Sequence, residues 1–254
     1  MVIQSMTYNV DDATVQSYTA GDLNLTSKLN DSLNNKHSFT VSETEYTSYP
    51  QSHSKSLIIL ITGVPGVGKT TVGNAMIGTM GLTHHISTGF LRAAVDMYLE
   101  PAQSTLLRRH AFAAYELIAE LPPTGENIFQ GALAQAELLK PIFKTCIARA
   151  RREGIGLIME GSHFIPGFVD PTEYDADLLC VLDVPNRDDL KARALSPNHL
   201  HRELSSFDLE RLVLLQEQLL DAANLYNSPI IVNVDLDDAV QQIHHLLGMS
   251  SGTS

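Results

Sequence analysis

From residue 57 onward the chain alternates short apolar runs with longer stretches whose apolar positions recur every three or four residues. Leu57 to Ile61, Ile155 to Glu160, Leu178 to Asp183 and Pro229 to Val234 read as strands, with a shorter one at His84 to Ser87. Between them the pattern predicts helices. One covers about Thr70 to Met80 and ends at Gly81; the next runs through Thr88 to Val95 and is closed by Pro101. A third is expected over Leu106 to Ala119, with Leu107, Ala111, Ala114 and Ile118 on one face, before Pro122-Pro123-Thr124-Gly125 breaks the pattern. A long helix follows from about Ile128 to Arg152, kinked at Pro141 and ended by Gly154. Further helices start near Asn186, after Ser205 or Ser206, and over Asp235 to Leu247. Strands separated by helices pair in parallel through right-handed crossovers. The expected architecture is therefore α/β, a three-layer α/β/α fold around a five-stranded, mainly parallel sheet with ligands at the carboxyl ends of the strands.

Residues 1–55 break this rhythm. They are crowded with Ser, Thr, Asn and Asp and hold little Leu, Ile or Phe, too little apolar surface to offset the entropy of ordering. They read as a flexible or loosely docked arm, with a regulatory or partner-binding tail as the alternative. Residues 56–248 form the expected catalytic domain and residues 249–254 a fraying tail.

The first strand of that domain leads into Gly63-Val64-Pro65-Gly66-Val67-Gly68-Lys69-Thr70-Thr71, which carries the Gly-x-x-x-x-Gly-Lys-Thr phosphate-binding pattern of P-loop NTPases in a strand-loop-helix setting. Glycines let successive backbone N–H groups point at phosphates, and the following helix adds its positive end. Lys69 is placed to reach the β- and γ-phosphates, and the Thr70 hydroxyl to ligate Mg²⁺. The third strand ends in Glu160, opposite Lys69, where a carboxylate could hold a magnesium water or take a proton from an attacking hydroxyl. His163, three residues on, lies where substrate contact is expected, although loop histidines are often only solvated.

Charge narrows the partners. Lys and Arg number 17 against 29 Asp and Glu, a net charge of −12, which argues against a nucleic-acid groove and for a small substrate. Cys146 and Cys180 fall inside separate predicted elements, so neither a disulfide framework nor a zinc site is suggested. There is no apolar run near roughly 18 residues and no N-terminal signal pattern, hence the expectation of no membrane partner and a reducing, cytoplasmic location. A homodimer is left open. The His84-His85 and His244-His245 pairs lack metal-site spacing and receive no role.

The stretch Glu160-Gly161-Ser162-His163-Phe164-Ile165-Pro166-Gly167 resembles the Glu-Gly-Val-His-x-Val-Pro-Gly stretch of the 2-phosphoglycerate kinase family of P-loop kinases. The similarity extends weakly from about Leu57 to Asp235 and includes the helix end Arg149-Ala150-Arg151-Arg152-Glu153-Gly154. The resemblance implies ATP- and Mg²⁺-dependent phosphorylation of a small anionic, already phosphorylated acceptor. It further implies that Gly63 to Thr71 bind ATP and that Arg92 holds the acceptor. One departure bears on the reaction: an acidic residue is expected three positions before that Arg, where Gly89 stands, leaving Glu160 as the nearest obvious acid. The same segment also looks like the Ile-Ser-Thr-Gly-Asp-x-Leu-Arg motif of adenylate kinases with one residue deleted after Gly89. In that reading Thr88 and Arg92 contact a nucleoside monophosphate.

A kinase also needs cations around the transferring group, usually on a lid after the fourth strand. Arg187, Lys191, Arg193 and Arg202 occupy that region, and Arg108 and Arg109 are comparable candidates for gripping the acceptor. A charged helix is more often a solvated face. The alternatives to a 2-phosphoglycerate-like kinase are a nucleoside monophosphate kinase and a nucleotide-binding pseudoenzyme or regulatory protein.

Overall fold

The structure, a computed structural model, describes residues 56–118, 122–196 and 204–248, together with the backbone of two short strands, Ser5–Thr7 (β1) and Gln16–Tyr18 (β2). These two pair antiparallel, with Met6 opposite Ser17, inside a unit of their own spanning Met1–Ser52. The rest of the expected arm and the tail at 249–254 lie outside the described residues.

In the second unit, Ile58–Thr62 (β3) is buried at every position because it has a parallel neighbour on each side and helices over both faces. Its alternating side chains divide the core. Ile59 and Ile61 join Val72 and Met76 of Lys69–Met80 (α1), together with Leu212 and Leu215 of Ser206–Leu225 (α6) and Ile243 of Leu236–Leu246 (α7). Ile58 and Leu60 join Leu139, Phe143 and Ile147 of the 29-residue helix Gly125–Glu153 (α4). Burying each such side chain contributes about 1.5–3 kcal/mol, so β3 is a hydrophobic axis for both layers.

The remaining strands are His84–Ser87 (β4), Leu157–Glu160 (β5), Leu178–Asp183 (β6) and Ile230–Val232 (β7). All five pair in parallel, in the order β4-β5-β3-β6-β7. The three-layer α/β/α expectation is met. Glu160 pairs in register with Ile61 on one side and Ser87 on the other, so β3, β4 and β5 end at one level and their next residues share one edge.

Helix starts follow their caps. Thr124 accepts from Asn127 N and starts α4 three residues before the expected Ile128. Asn186 caps Arg187–Ala194 (α5), and Ser205, with Asp208, completes a reciprocal capping box on α6. Pro141 lies inside α4 without ending it.

Two expectations fail. In place of a continuous helix over Leu106 to Ala119, Pro101–Arg108 (α3) stops at Arg109, and a 3₁₀ segment covers Ala111–Leu117. Pro101 is the first residue of α3 and does not close the preceding helix, Thr88–Asp96 (α2). The partners are tertiary as well as local: the Leu106 carbonyl, which a continuing helix would give to the residue 110 N–H, instead accepts from Arg109 N at 3.3 Å and from Gln135 Nε2 of α4 at 2.6 Å. Phe112 and Tyr115 are then buried by the 3₁₀ turn.

Candidate functional site

The loop after β3 is held from three elements. Ser162 Oγ donates to Gly63 O (2.9 Å), Val64 N donates to Gln216 Oε1 on α6 (3.1 Å), and Asn233 Nδ2 donates to Val67 O (2.7 Å). Gln216 and Asn233 are buried, and the other end of the Gln216 amide donates to Leu182 O at 2.9 Å. Gly66 has φ +97°, and a Cβ there would meet Ala194 N and Leu190 O of α5 at 2.9 Å, so the loop can lie flat on α5 only without a side chain. The loop so fixed precedes the N-terminus of a 12-residue helix, a geometry in which backbone N–H groups can cradle phosphates.

Lys69 and Thr70, the first two residues of α1, face Glu160 at the tip of β5. Thr70 Oγ1 donates to Glu160 Oε1 at 2.9 Å, and Lys69 Nζ lies 4.0 Å from Glu160 Oε2 while donating to Val64 O at 3.0 Å. A hydroxyl and a buried carboxylate converging beside the loop are oxygen donors of the kind that could hold a magnesium ion. Thr71 is exposed on the following turn.

On the other side of Glu160 a second cluster forms. Gly161 has φ +153°, and a Cβ there would fall 1.8 Å from Thr88 Oγ1; glycine lets the start of α2 close onto the β5 loop. Thr88 Oγ1 bonds His163 Nδ1 at 2.8 Å, and His163 Nε2 bonds Gln135 Oε1 at 3.0 Å. The Gln135 amide nitrogen reaches Leu106 O and Arg109 O, and Arg109 O also accepts from Arg92 Nη1 at 2.6 Å. Burial, followed by the positive charges of Arg92 and Lys69, pushes the His163 pKa down to about 3, so the imidazole is neutral near pH 7. Burial alone lowers the pKa of Arg92, which still carries its charge as arginine does.

The structure therefore brings Lys69, Thr70, Glu160, Thr88, Arg92 and His163 to neighbouring strand tips. Other candidates are engaged elsewhere. Arg108 is exposed and ion-paired to Asp96 at 2.8 Å, and Arg109 contributes its carbonyl. Arg187 donates to Asp183 Oδ1 and Val184 O, Lys191 pairs with Glu210, and Arg193 donates to Asn233 O and Val234 O. Arg202 lies outside the described residues. A Cβ at Gly89 would meet only Ser87 Oγ, at 3.4 Å, so the missing acid does not reflect a lack of room. Sequence reading overlooked Gln135, Gln216, Asn233 and Ser162. For the two glutamines the sequence offered little: each sits on a helix close to other polar residues, Glu137 near Gln135 and Glu217 and Gln218 beside Gln216, and only the fold shows that these amides are buried and must find partners.

No family model matches the chain. It is similar to the 2-phosphoglycerate kinase of Thermococcus kodakarensis, 27% identical over 190 residues covering 74% of this chain and 64% of that protein. The 2-phosphoglycerate kinase of Pyrococcus horikoshii is 28% identical over 190 residues, covering 74% and 62%. A mevalonate-3-phosphate 5-kinase of Thermoplasma acidophilum is 31% identical over 117 residues, covering 45% of this chain and 55% of that one. The chain thus spans a little under two thirds of the length of the curated relatives it matches. Among the described residues no helix is long and apolar enough to cross a membrane.

Proposed function

We propose that this chain is a phosphotransferase that moves the γ-phosphoryl group of ATP, with Mg²⁺, to a hydroxyl of a small phosphorylated acid resembling 2-phosphoglycerate. The observation that carries the reading is the pairing, on adjacent strand tips, of the Lys69, Thr70 and Glu160 cluster with a second, cationic cluster built on Arg92. Names of the relatives support it, since each phosphorylates an already phosphorylated small molecule or is named for doing so.

In this reading the loop N–H groups and Lys69 hold the β- and γ-phosphates, and Lys69 stabilises charge on the transferring group. Thr70 and Glu160 hold the magnesium ion, which neutralises phosphate charge. Both Glu160 oxygens face Thr70 and Lys69, which supports a metal-holding role over that of a base for the acceptor. Arg92 anchors the acceptor's anionic group, so its hydroxyl meets the γ-phosphorus as the bond to ADP breaks. With no acid at Gly89, catalysis rests on positioning and electrostatics, which phosphoryl transfer tolerates.

Magnesium-dependent ADP release, measured with 2-phosphoglycerate, AMP or no acceptor, tests the reading. Turnover stimulated by 2-phosphoglycerate is expected, and Arg92→Ala should raise the acceptor KM about tenfold to hundredfold, the worth of a charge-assisted contact, at unchanged ATP affinity. AMP stimulation would instead indicate a nucleoside monophosphate kinase. ATP binding with no acceptor-dependent turnover would point to a nucleotide-binding protein and overturn the proposal.

A further inference from the structure

Gln135 is fully buried on α4, and its hydrogen bonds leave only one way to orient its amide. The Nε2 end sits 2.6 Å from Leu106 O and 3.0 Å from Arg109 O, both pure acceptors, so the two amide hydrogens go there and Oε1 faces the His163 ring. His163 Nε2 must then carry the ring proton and donate to Oε1. Nδ1 is left as an acceptor, and the Thr88 hydroxyl donates to it. The depressed pKa of the buried ring agrees with a single neutral tautomer. At the other end of the amide, Arg109 O accepts from both Gln135 and Arg92 and so uses both lone pairs. That carbonyl lies at the break between α3 and the 3₁₀ segment, where no regular helix holds it.

We propose that Gln135 is the positioning residue for Arg92: one side-chain amide fixes the Arg109 carbonyl that holds the guanidinium and the His163 tautomer that holds Thr88. The site is thereby tied to α4 from the far side of the cluster, where Gln135 itself meets no substrate. Arg92 would keep its charge without Gln135 but lose the carbonyl that aims it, and acceptor use would suffer while the phosphate loop, held separately by Gln216, Ser162 and Asn233, would not.

The proposal rests on reading Arg92 as the acceptor anchor, and its test separates the two. Gln135→Met keeps the volume and removes both hydrogen-bonding ends; Gln135→Glu keeps an oxygen toward His163 but loses the donors to the carbonyls. In nitrogen NMR spectra of the full chain, the wild type should show His163 as one Nε2–H tautomer. Gln135→Met should give mixed tautomers and shift the Arg92 side-chain resonances, and Gln135→Glu should shift the Arg92 resonances while keeping the tautomer. With 2-phosphoglycerate as acceptor, both variants should raise its KM at least about fivefold with the ATP KM within about twofold, and neither should add to the effect of Arg92→Ala. Unchanged Arg92 and His163 resonances in Gln135→Met would overturn the inference, as would equal rises in both KM values or full additivity with Arg92→Ala. Absence of any turnover in the wild type would instead remove the kinase reading, while the spectra still decide whether Gln135 positions Arg92.

Discussion

Replacing His163 with Gln should flatten the acid side of the stability profile. His163 is 4% exposed and sits beside two cations, so its pKa falls from 6.5 to about 3 on folding. Between those values the unfolded chain binds a proton that the native chain refuses. The group's stabilising effect is therefore complete above pH 6.5 and is lost as pH falls toward about 3. A shift of one pKa unit is worth roughly 1 kcal/mol or a little more, so moving from pH 7.5 to 4.5, which crosses about two pH units of that window, should cost about 3 kcal/mol through this residue alone. The figure barely changes if the native pKa is as high as about 4, because at pH 4.5 the native ring is still mostly neutral. His163→Gln will also alter the hydrogen bonds to Thr88 and Gln135, but that loss is present at both pH values and cancels in the difference. Urea unfolding of both proteins at pH 7.5 and 4.5 gives the comparison: the variant should lose roughly 2–3 kcal/mol less than the wild type on acidification. Losses agreeing within about 0.5 kcal/mol would show that the ring is solvated or already protonated in the native state, and the reasoning about its tautomer would fall with it.

Lys69→Ala should lower turnover by about a hundredfold or more at a melting temperature within a few degrees of wild type, and a folded variant with normal turnover would sink the role given to the phosphate loop. Glu160→Gln should leave nucleotide binding without metal near normal while lowering kcat and raising the magnesium concentration needed for half-maximal rate; a magnesium titration of kcat reads this directly. Gly161→Ala places a Cβ 1.8 Å from Thr88 Oγ1 at φ +153° and should cost about 2–6 kcal/mol in urea unfolding, with wild-type stability contradicting the packing of α2 on the β5 loop. Gln216→Leu strands Val64 N and Leu182 O without their side-chain partner, so stability should fall by about 1–3 kcal/mol and the ATP KM should rise with the acceptor KM unchanged; the reverse split in KM values would refute the division of labour between the two glutamines.

Period and punctuation were enough to determine the sheet. Runs such as Leu178 to Leu182 are apolar at every position because a parallel strand is covered on both faces, and the glycines at 63, 66 and 68 before Lys69 mark a strand-to-helix turn whose backbone can face phosphates. Glu160, Thr88 and Arg92 were placed together for the same reason: Glu160 ends β5, Thr88 and Arg92 come just after β4, and strand ends of a parallel sheet form one edge. The broken helix at Arg109 was not legible, because Leu107, Ala111, Ala114 and Ile118 keep helical spacing, while the Leu106 carbonyl is taken by the Arg109 N–H and by Gln135 of a distant helix. Nor could the sequence separate the cations of the site from those of the surface. Arg92, Arg108 and Arg193 are equivalent as letters; the fold gives one to the Arg109 carbonyl, one to Asp96 with its own side chain exposed, and one to the backbone after β7. Contacts between residues tens of positions apart, such as Gln135 with Leu106 and Arg109, depend on how helices seat on the sheet, and that seating is decided by the summed packing of the core.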